Sequence, residues 1–195
     1  NLSAAYLAGL AFWAGIPWAL KMPLGHLVDI IWRWKWILVY LGAALVGASV
    51  LIMYFVMTQR PMMEAIAPLG TWYVISFILA PCGLVLQDVV ADAMSIEAVP
   101  KVDAIGAPIG DDVSRGLHTT MQTLGRFAII GGTVLVSLAN VIIFTDVDSL
   151  DTAARIDLYA DIYLYALIIP LISIAGVVLA RLQRSYRNAR AQQAH

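Results

Sequence analysis

Three carboxylates stand close together in a strongly apolar part of the chain, in the segment LQDVVADAMSIE at 86–97. Asp88 and Asp92 are four residues apart, so a helix places them on one face, with Glu97 further along and rotated by more than a right angle. Carboxylates in an apolar helix can carry protons, because desolvation and a nearby cation act in opposite directions on their protonation. They can also bind a divalent metal ion through their oxygens, or pair with basic side chains.

Two basic residues, Lys21 and Arg126, also lie within apolar stretches and are the candidate partners of these carboxylates. Lys21 recurs at four-residue spacing with Gly25 and Asp29, so that all three share one helix face. Lys21 and Asp29 are two turns apart, which is too far for a direct pair, so each is expected to meet a partner on another helix. Gly25 is expected to let a neighbouring backbone approach closely.

Arg126 ends a second polar row, in which His118 and Gln122 precede it at the same four-residue spacing. A charged side chain within a membrane span costs about 2.5–3.5 kcal/mol on insertion scales, so it faces a cavity or an opposite charge rather than lipid. The sequence therefore predicts that this basic face meets the acidic face of Asp88 and Asp92 in a shared interior.

The composition places these residues in a membrane. Hydrophobic residues make up 61% of the chain and charged residues only 13%, with a mean hydropathy of +0.82. Soluble proteins carry about 25% charged residues. The single cysteine, Cys82, excludes an intrachain disulfide. The expected surroundings are membrane lipids, and neither a cofactor nor a nucleic-acid partner is expected.

Five apolar stretches reach the length of about 20 residues that a helix needs to cross a bilayer. They lie at 3–24, 36–58, 70–94, 116–144 and 160–181. The second is uncharged and offers small residues for close helix packing, namely Gly42, Ala43, Ala44, Gly47, Ala48 and Ser49. The expected fold is an all-α membrane protein with five transmembrane helices in residues 1–183.

The basic residues give the expected orientation, because cytoplasmic connections carry an excess of lysine and arginine. The connections on one side carry only Arg60 and Arg155. Those on the other side carry eight basic residues: Arg33, Lys35, Lys101, Arg115, Arg181, Arg184, Arg187 and Arg190. The N-terminus is therefore expected outside a bacterial inner membrane and the C-terminus in the cytoplasm.

An outside N-terminus without a signal peptide or an initiating methionine is typical of a piece of a longer protein that has lost a preceding helix. We therefore expect the five helices to be the second to sixth of a larger chain. The basic segment 184–195 is expected to lie solvated in the cytoplasm, with some contact to anionic lipid headgroups.

Three classes of function use carboxylates in such a setting. These are transport of protons with a small-molecule substrate, catalysis with a bound divalent metal ion, and assembly or scaffolding in which the carboxylates only hold helices together. The membrane phosphatidyltransferases carry a longer aspartate-glycine-alanine-arginine signature that DVVADAMSIE lacks, so neither an enzyme nor a metal site is expected. Transport is the favoured interpretation, and the structural role stays open.

The segment GHLVDIIWRWK at 25–35 resembles the loop between helices two and three of the major facilitator superfamily, which reads glycine-x-leucine-x-aspartate followed by basic residues. The matching residues are Gly25, Leu27, Asp29 and Arg33. A usual basic residue of the motif is replaced by Ile30 and a usual glycine by Trp32.

Within that superfamily, PWALKMPLGHLVD at 17–29 and LQDVVADAMSIE at 86–97 are together similar to the folate-biopterin transporter family. The matching residues are Pro17, Trp18, Lys21, Asp29, Asp88, Asp92 and Glu97. The muropeptide permease family is the second candidate, because it shares the proline-tryptophan-x-x-lysine element and the glutamine-aspartate pair, here Gln87 and Asp88.

The resemblance implies a secondary transporter of twelve helices, in which two six-helix halves rock around a central site and this chain supplies most of the first half. It implies proton-coupled transport of an anionic organic solute. The residues expected along the substrate or proton pathway are Lys21, Asp88, Asp92, Gln122 and Arg126. Those expected in the cytoplasmic gate are Gly25, Asp29, Arg33 and Glu97. The connection at 98–116 is rich in Gly, Pro and Asp and is expected to be a solvated loop.

Overall fold

The computed structural model describes residues 4–103 and 105–193, apart from the side chains of residues 4, 5, 7, 32, 184 and 187–193. Within these ranges the chain is almost wholly α-helical and contains no β-strand. The helices are α1 (Ala4–Ala19), α2 (Lys21–Ile30), α3 (Lys35–Thr58), α4 (Arg60–Ile66), α5 (Leu69–Glu97), α6 (Asp111–Phe144), α7 (Thr152–Ala166) and α8 (Ile168–Gln193).

Four helical stretches of the described chain are long and apolar enough to cross a membrane. They are Lys35–Thr58, Leu69–Glu97, Asp111–Ser149 and Thr152–Gln183. The expected all-α class is confirmed, and these four helices make the chain compatible with an integral membrane protein. The remaining expected span, 3–24, is divided into two shorter helices, and residue 3 lies outside the described residues.

The division of this first apolar stretch has a local cause. α1 ends at Ala19 and α2 begins at Lys21, with Leu20 alone between them. Pro23 lies four residues after Ala19, where a helix needs an N–H to donate to the Ala19 carbonyl. Proline has no N–H, and its ring collides with that carbonyl. The result is one helix of 16 residues followed by one of 10.

The last apolar stretch is divided in the same way. α7 ends at Ala166, α8 begins at Ile168, and Pro170 again lies four residues after the end of the first helix. Helical structure also extends beyond the expected limits of 160 and 181, since α7 begins at Thr152 and α8 continues to Gln193. The basic segment expected at 184–195 is thus helical up to Gln193, and residues 194 and 195 lie outside the described chain.

The chain divides into two compact units, one formed by the residues up to Val90 and from Ile156 onward, the other by Ala91–Arg155. In the first unit α3 packs against α8 and α4. Its core is built from aliphatic side chains of α2, α3, α5 and α7, which include Val28, Leu38, Ala43, Val46, Val85, Val89, Val90 and Ala160.

The second unit contains the connection expected as a solvated loop and the helix that follows it. The connection forms a tight hairpin, in which Val102 and Pro108 are bridged and the Asp103 carboxylate accepts hydrogen bonds from the backbone N–H groups of Ile105 and Ala107. Gly106 supplies the positive φ of 83° that the turn requires.

α6 begins at Asp111, five residues before the expected limit of 116, and runs for 34 residues. Asp111 and Asp112 lie in its first turn, where negative charge interacts favourably with the helix dipole. At 1.5 Å per residue its length is about 51 Å, well beyond the roughly 30 Å thickness of a hydrocarbon core.

Candidate functional site

An ion pair between α2 and α5 is the centre of the candidate site. The ammonium of Lys21 lies 2.5 Å from a carboxylate oxygen of Asp88. Lys21 is the first residue of α2, so the interruption at Leu20 fixes where this side chain begins. Both side chains are partly shielded, with exposed fractions of 38% and 28%. Pairing removes two net charges from an apolar stretch and thereby lowers the cost of placing them there.

One to two turns after Lys21, the contact between α2 and α5 is apolar. Val28 on α2 and Val89 on α5 are almost fully buried. A Cβ added at Gly25 would meet only the Cγ1 of Val89, at 4.0 Å, which is an ordinary van der Waals distance. The close backbone approach expected at Gly25 is therefore wrong, since α2 and α5 meet there through a valine side chain.

The close approach of backbones lies instead between α3 and α5. A Cβ at Gly83 would lie 2.5 Å from the carbonyl oxygen of Gly42 and 2.8 Å from the Cγ2 of Val46. A Cβ at Gly42 would lie 2.7 Å from the carbonyl oxygen of Gly83. Because both positions lack a side chain, the two helices cross in direct backbone contact, as small residues permit in membranes.

Gln87 connects three helices next to Asp88. Its side-chain N–H donates to the carbonyl of Val39 on α3 at 3.4 Å. Its side-chain oxygen accepts a hydrogen bond from the hydroxyl of Ser173 on α8 at 3.3 Å. These contacts fix the rotation of α5 about its axis, and so the direction in which Asp88 points. Sequence reasoning did not include Gln87 among the site residues, although an amide inside an apolar helix was the available signal.

A second polar contact between α3 and α5 is fully buried. The hydroxyl of Ser49 donates to the carbonyl of Ser76 at 2.8 Å, and that of Ser76 donates to the carbonyl of Ser49 at 3.0 Å. The two hydroxyl oxygens are also 3.0 Å apart. Each serine thus supplies a donor and an acceptor to the other helix, about three turns from Gln87 along α5.

Removing this serine pair tests its contribution to stability. The Ser49→Ala/Ser76→Ala double variant is expected to lower the free energy of unfolding by about 1 kcal/mol, as for other hydrogen bonds between membrane helices. Unfolding of the purified protein by SDS in mixed micelles measures this change. Ser95→Ala is the matched control, because among the described residues the Ser95 hydroxyl bonds only to Ala91 of its own helix. Equal stability of the control and the double variant would contradict a role in helix association.

The other acidic residues of the segment 86–97 lie further along α5. Asp92 follows Asp88 by one turn and is exposed, and Glu97 is exposed at the last residue of the helix. Asp29 and Arg33 are both exposed at the end of α2 and in the following turn. In the part of the chain that is described, neither takes part in an ion pair, so their expected role in a cytoplasmic gate stays a prediction.

Gln122 and Arg126 lie one turn apart on α6, in the second unit, and both side chains are exposed. None of the described side chains of α6 is buried. The expected pairing of Arg126 with the acidic face of α5 stays a prediction.

The end of α3 next to the tryptophan-rich turn carries a different contact. The guanidinium of Arg181 on α8 lies 3.9 Å from the ring centre of Trp36 on α3. Trp36 in turn packs edge-on against Tyr40, with ring centres 5.9 Å apart. A cation–π contact of this kind contributes about 0.5–1 kcal/mol where it is exposed. It joins α3 and α8 at the end nearest to Gln87.

The structure thus brings two of the expected pathway residues, Lys21 and Asp88, into direct contact, and adds Gln87 and Ser173 beside them. Comparison of the chain with protein-family models, with curated proteins and with solved structures gives no significant match.

Proposed function

We propose that this chain belongs to a secondary active transporter of the major facilitator type, in which Lys21 and Asp88 lie on the pathway of protons and of an anionic organic solute. The observation that carries the proposal is the ion pair between α2 and α5. Ionisable residues within membrane-spanning helices are rare and costly, and they mark ion or substrate pathways by default.

The chemistry of the pair suits coupled transport. When Asp88 takes up a proton, its carboxyl group becomes neutral and Lys21 is left without its counter-ion. An anionic solute then supplies the replacement negative charge at Lys21. When the proton leaves, the Asp88 carboxylate competes with the solute for Lys21 and so favours release of the solute. Proton and solute binding are therefore linked through one ammonium group, and linkage of this kind is reciprocal.

The remaining parts of the proposal come from the sequence. Two six-helix halves surround the pathway, and this chain supplies five helices of the first half, including α1 with α2 as one span. Asp92, Gln122 and Arg126 complete the pathway, while Asp29 and Arg33 act with Gly25 and Glu97 in the gate. The excess of basic residues supports a cytoplasmic position, at a bacterial inner membrane, for the gate and the C-terminus.

An uptake experiment tests the transporter and its substrate together. The protein is expressed from its complete reading frame, reconstituted into liposomes and given labelled folate or a labelled muropeptide with acid outside. We expect folate to accumulate, and accumulation to stop when a protonophore dissipates the gradient. Accumulation of the muropeptide alone would favour the muropeptide permease family. If neither accumulates above empty liposomes, the proposed function is wrong.

A non-transporting assembly or scaffold protein is the second candidate. It is favoured by the same contacts in another role, since Lys21 with Asp88, and Gln87 with Ser173, are also bonds that hold helices together. For such a protein only the stability that these contacts provide would matter. The substitutions of Lys21 and Asp88 treated in the Discussion separate the two candidates.

A further inference from the structure

A pocket of about 380 Å³ lies in the first unit, between α1, α3, α5 and α7. Its volume falls in the range of about 300–1,000 Å³ that is usual for small-molecule sites. The lining residue nearest to the ion pair along α5 is Pro81, seven residues before Asp88 and so about 10 Å away along the helix axis. The pocket is thus a separate site from that of Lys21 and Asp88.

The chemistry of the lining excludes a charged ligand. The lining side chains are neutral, and they include Ser49, Met53, Tyr73, Ser76, Phe77 and Tyr163. A charged molecule would find no counter-ion there, and burying an unpaired charge is costly. The hydroxyls of Ser49 and Ser76 already bond to each other's helix, so this part of the wall needs no further partner. The ligand is therefore neutral and mainly apolar.

Two tyrosines give the pocket its donors. Tyr73 on α5 and Tyr163 on α7 line it and are half-buried. Within the part of the chain that is described, neither phenol makes a hydrogen bond. Phenol groups that leave water usually find a partner, and acyl chains around membrane-spanning helices offer no acceptor. A ligand with a carbonyl oxygen would satisfy these donors.

The wall beside these donors is aromatic. The rings of Tyr73 and Phe77, one turn apart on α5, are stacked with 5.9 Å between centres and 24° between planes. Such a wall favours a planar ring that stacks on it or packs against its edge. We propose that the pocket binds an uncharged, mainly hydrocarbon, planar aromatic molecule whose carbonyl oxygen accepts hydrogen bonds from Tyr73 and Tyr163. This site does not depend on the proposed transport function.

Photolabelling with benzophenone, an uncharged diaryl ketone, locates the site. The full chain in liposomes is irradiated with increasing benzophenone, digested and analysed by mass spectrometry. We expect saturable labelling of the lining segments at 49–53 and 73–81, with Met53 prominent. Labelling that rises without saturation, and equally on exposed residues such as Leu41, would overturn the proposal.

Competition between two matched molecules tests the hydrogen bonds. Fluorenone has a carbonyl group and fluorene lacks it, while both are flat, neutral tricyclic hydrocarbons. At equal mole fraction in the membrane, fluorenone is expected to displace benzophenone about tenfold better, as expected for one to two neutral hydrogen bonds. In the Tyr73→Phe/Tyr163→Phe variant, which keeps both rings, the two molecules should compete equally. An unchanged preference for fluorenone in that variant would refute the assigned donors.

Filling the pocket provides the steric test. Ala80→Phe places a ring into the lined space and is expected to abolish saturable labelling. Ala44→Phe, at an exposed position of α3, is the matched control and should label normally. Normal saturable labelling of the Ala80 variant would place the label elsewhere. If that variant does not accumulate in folded form, the tyrosine variant decides. Labelling requires no transport, so failure of uptake leaves the result unaffected.

Discussion

Replacing Asp88 by asparagine is expected to abolish solute uptake driven by a pH gradient. An amide cannot take up the proton, and it gives Lys21 no negative charge to compete with the solute. The measurement is initial uptake in liposomes with acid outside, using the protein from its complete reading frame. Asp161→Asn is the matched control, since Asp161 is exposed on α7, and it should transport normally. Unchanged proton-driven uptake in the Asp88 variant would exclude coupling through this residue.

Substituting Lys21 tests the same pair from the other side. Lys21→Met leaves the Asp88 carboxylate without its ammonium partner in an apolar stretch, so the free energy of unfolding is expected to fall by about 1–2 kcal/mol. Because a hydrophobic pair avoids this unpaired charge, Lys21→Met/Asp88→Leu should recover most of the loss. Unfolding by SDS of Lys21→Met, Asp88→Leu and the double variant, each compared with the unsubstituted protein, measures the coupling as a double-mutant cycle.

The doubly substituted protein also separates the two candidate functions. In a transporter it is expected to be stable but inactive, because the group that exchanges protons is gone. In an assembly protein, restored stability is sufficient, and function should return with it. A stable double variant that still accumulates solute in response to a pH gradient would mean that the pair serves only to hold α2 against α5.

The second large effect is expected at the crossing of α3 and α5. Gly83→Ala places a Cβ where the carbonyl oxygen of Gly42 lies 2.5 Å away. That oxygen belongs to the backbone, so α3 and α5 must move apart at the crossing. The free energy of unfolding is expected to fall by about 1–3 kcal/mol, as for other overpacked cores. Thermal unfolding in detergent and uptake should both show the change, since Gln87 lies at the same crossing.

Gly70→Ala is the control for this substitution. Gly70 lies on the same helix, and a Cβ added there meets nothing within 4 Å. Alanine favours a helix over glycine by about 1 kcal/mol, so the control is expected to unfold at the same or a slightly higher temperature. If Gly83→Ala were as stable as Gly70→Ala, the backbones of α3 and α5 would have to be further apart than the structure shows.

Hydropathy was sufficient to predict the helical class, because crossing a bilayer requires long uninterrupted apolar runs. It did not predict that the stretches at 3–24 and 160–181 are each divided. Both divisions depend on one backbone hydrogen bond that Pro23 or Pro170 cannot make. Prolines do not always have this effect, since Pro17 and Pro81 lie inside α1 and α5. A hydropathy profile carries no signal that separates the two cases.

The candidate site was predictable in part. The cost of a charge in a span indicated that Asp88 needs a base, and Lys21 was one of two candidates. Which base Asp88 meets depends on the orientation of α5 about its own axis and on where α5 crosses its neighbours. Residue spacing along one helix determines neither of these. The roles of Gly83 and Gln87 in the site depend on the same crossing of α3 and α5. On α3, Gly42 belongs to the run of small residues that the sequence did indicate as a packing face.

The interruption at Leu20 allows α1 and α2 to move separately, although both belong to one apolar stretch. A helix bends most easily where its ladder of hydrogen bonds is broken, and Ala19 lacks the bond that Pro23 would have to donate. α2 is held against α5 by Lys21 at its first residue, and Val89 of α5 lies against α2 at Gly25, one turn later. α1 lies on the other side of this break, so it can tilt about Leu20 while the ion pair of Lys21 and Asp88 stays intact. Movement at one end of this stretch therefore does not require the ion pair to separate.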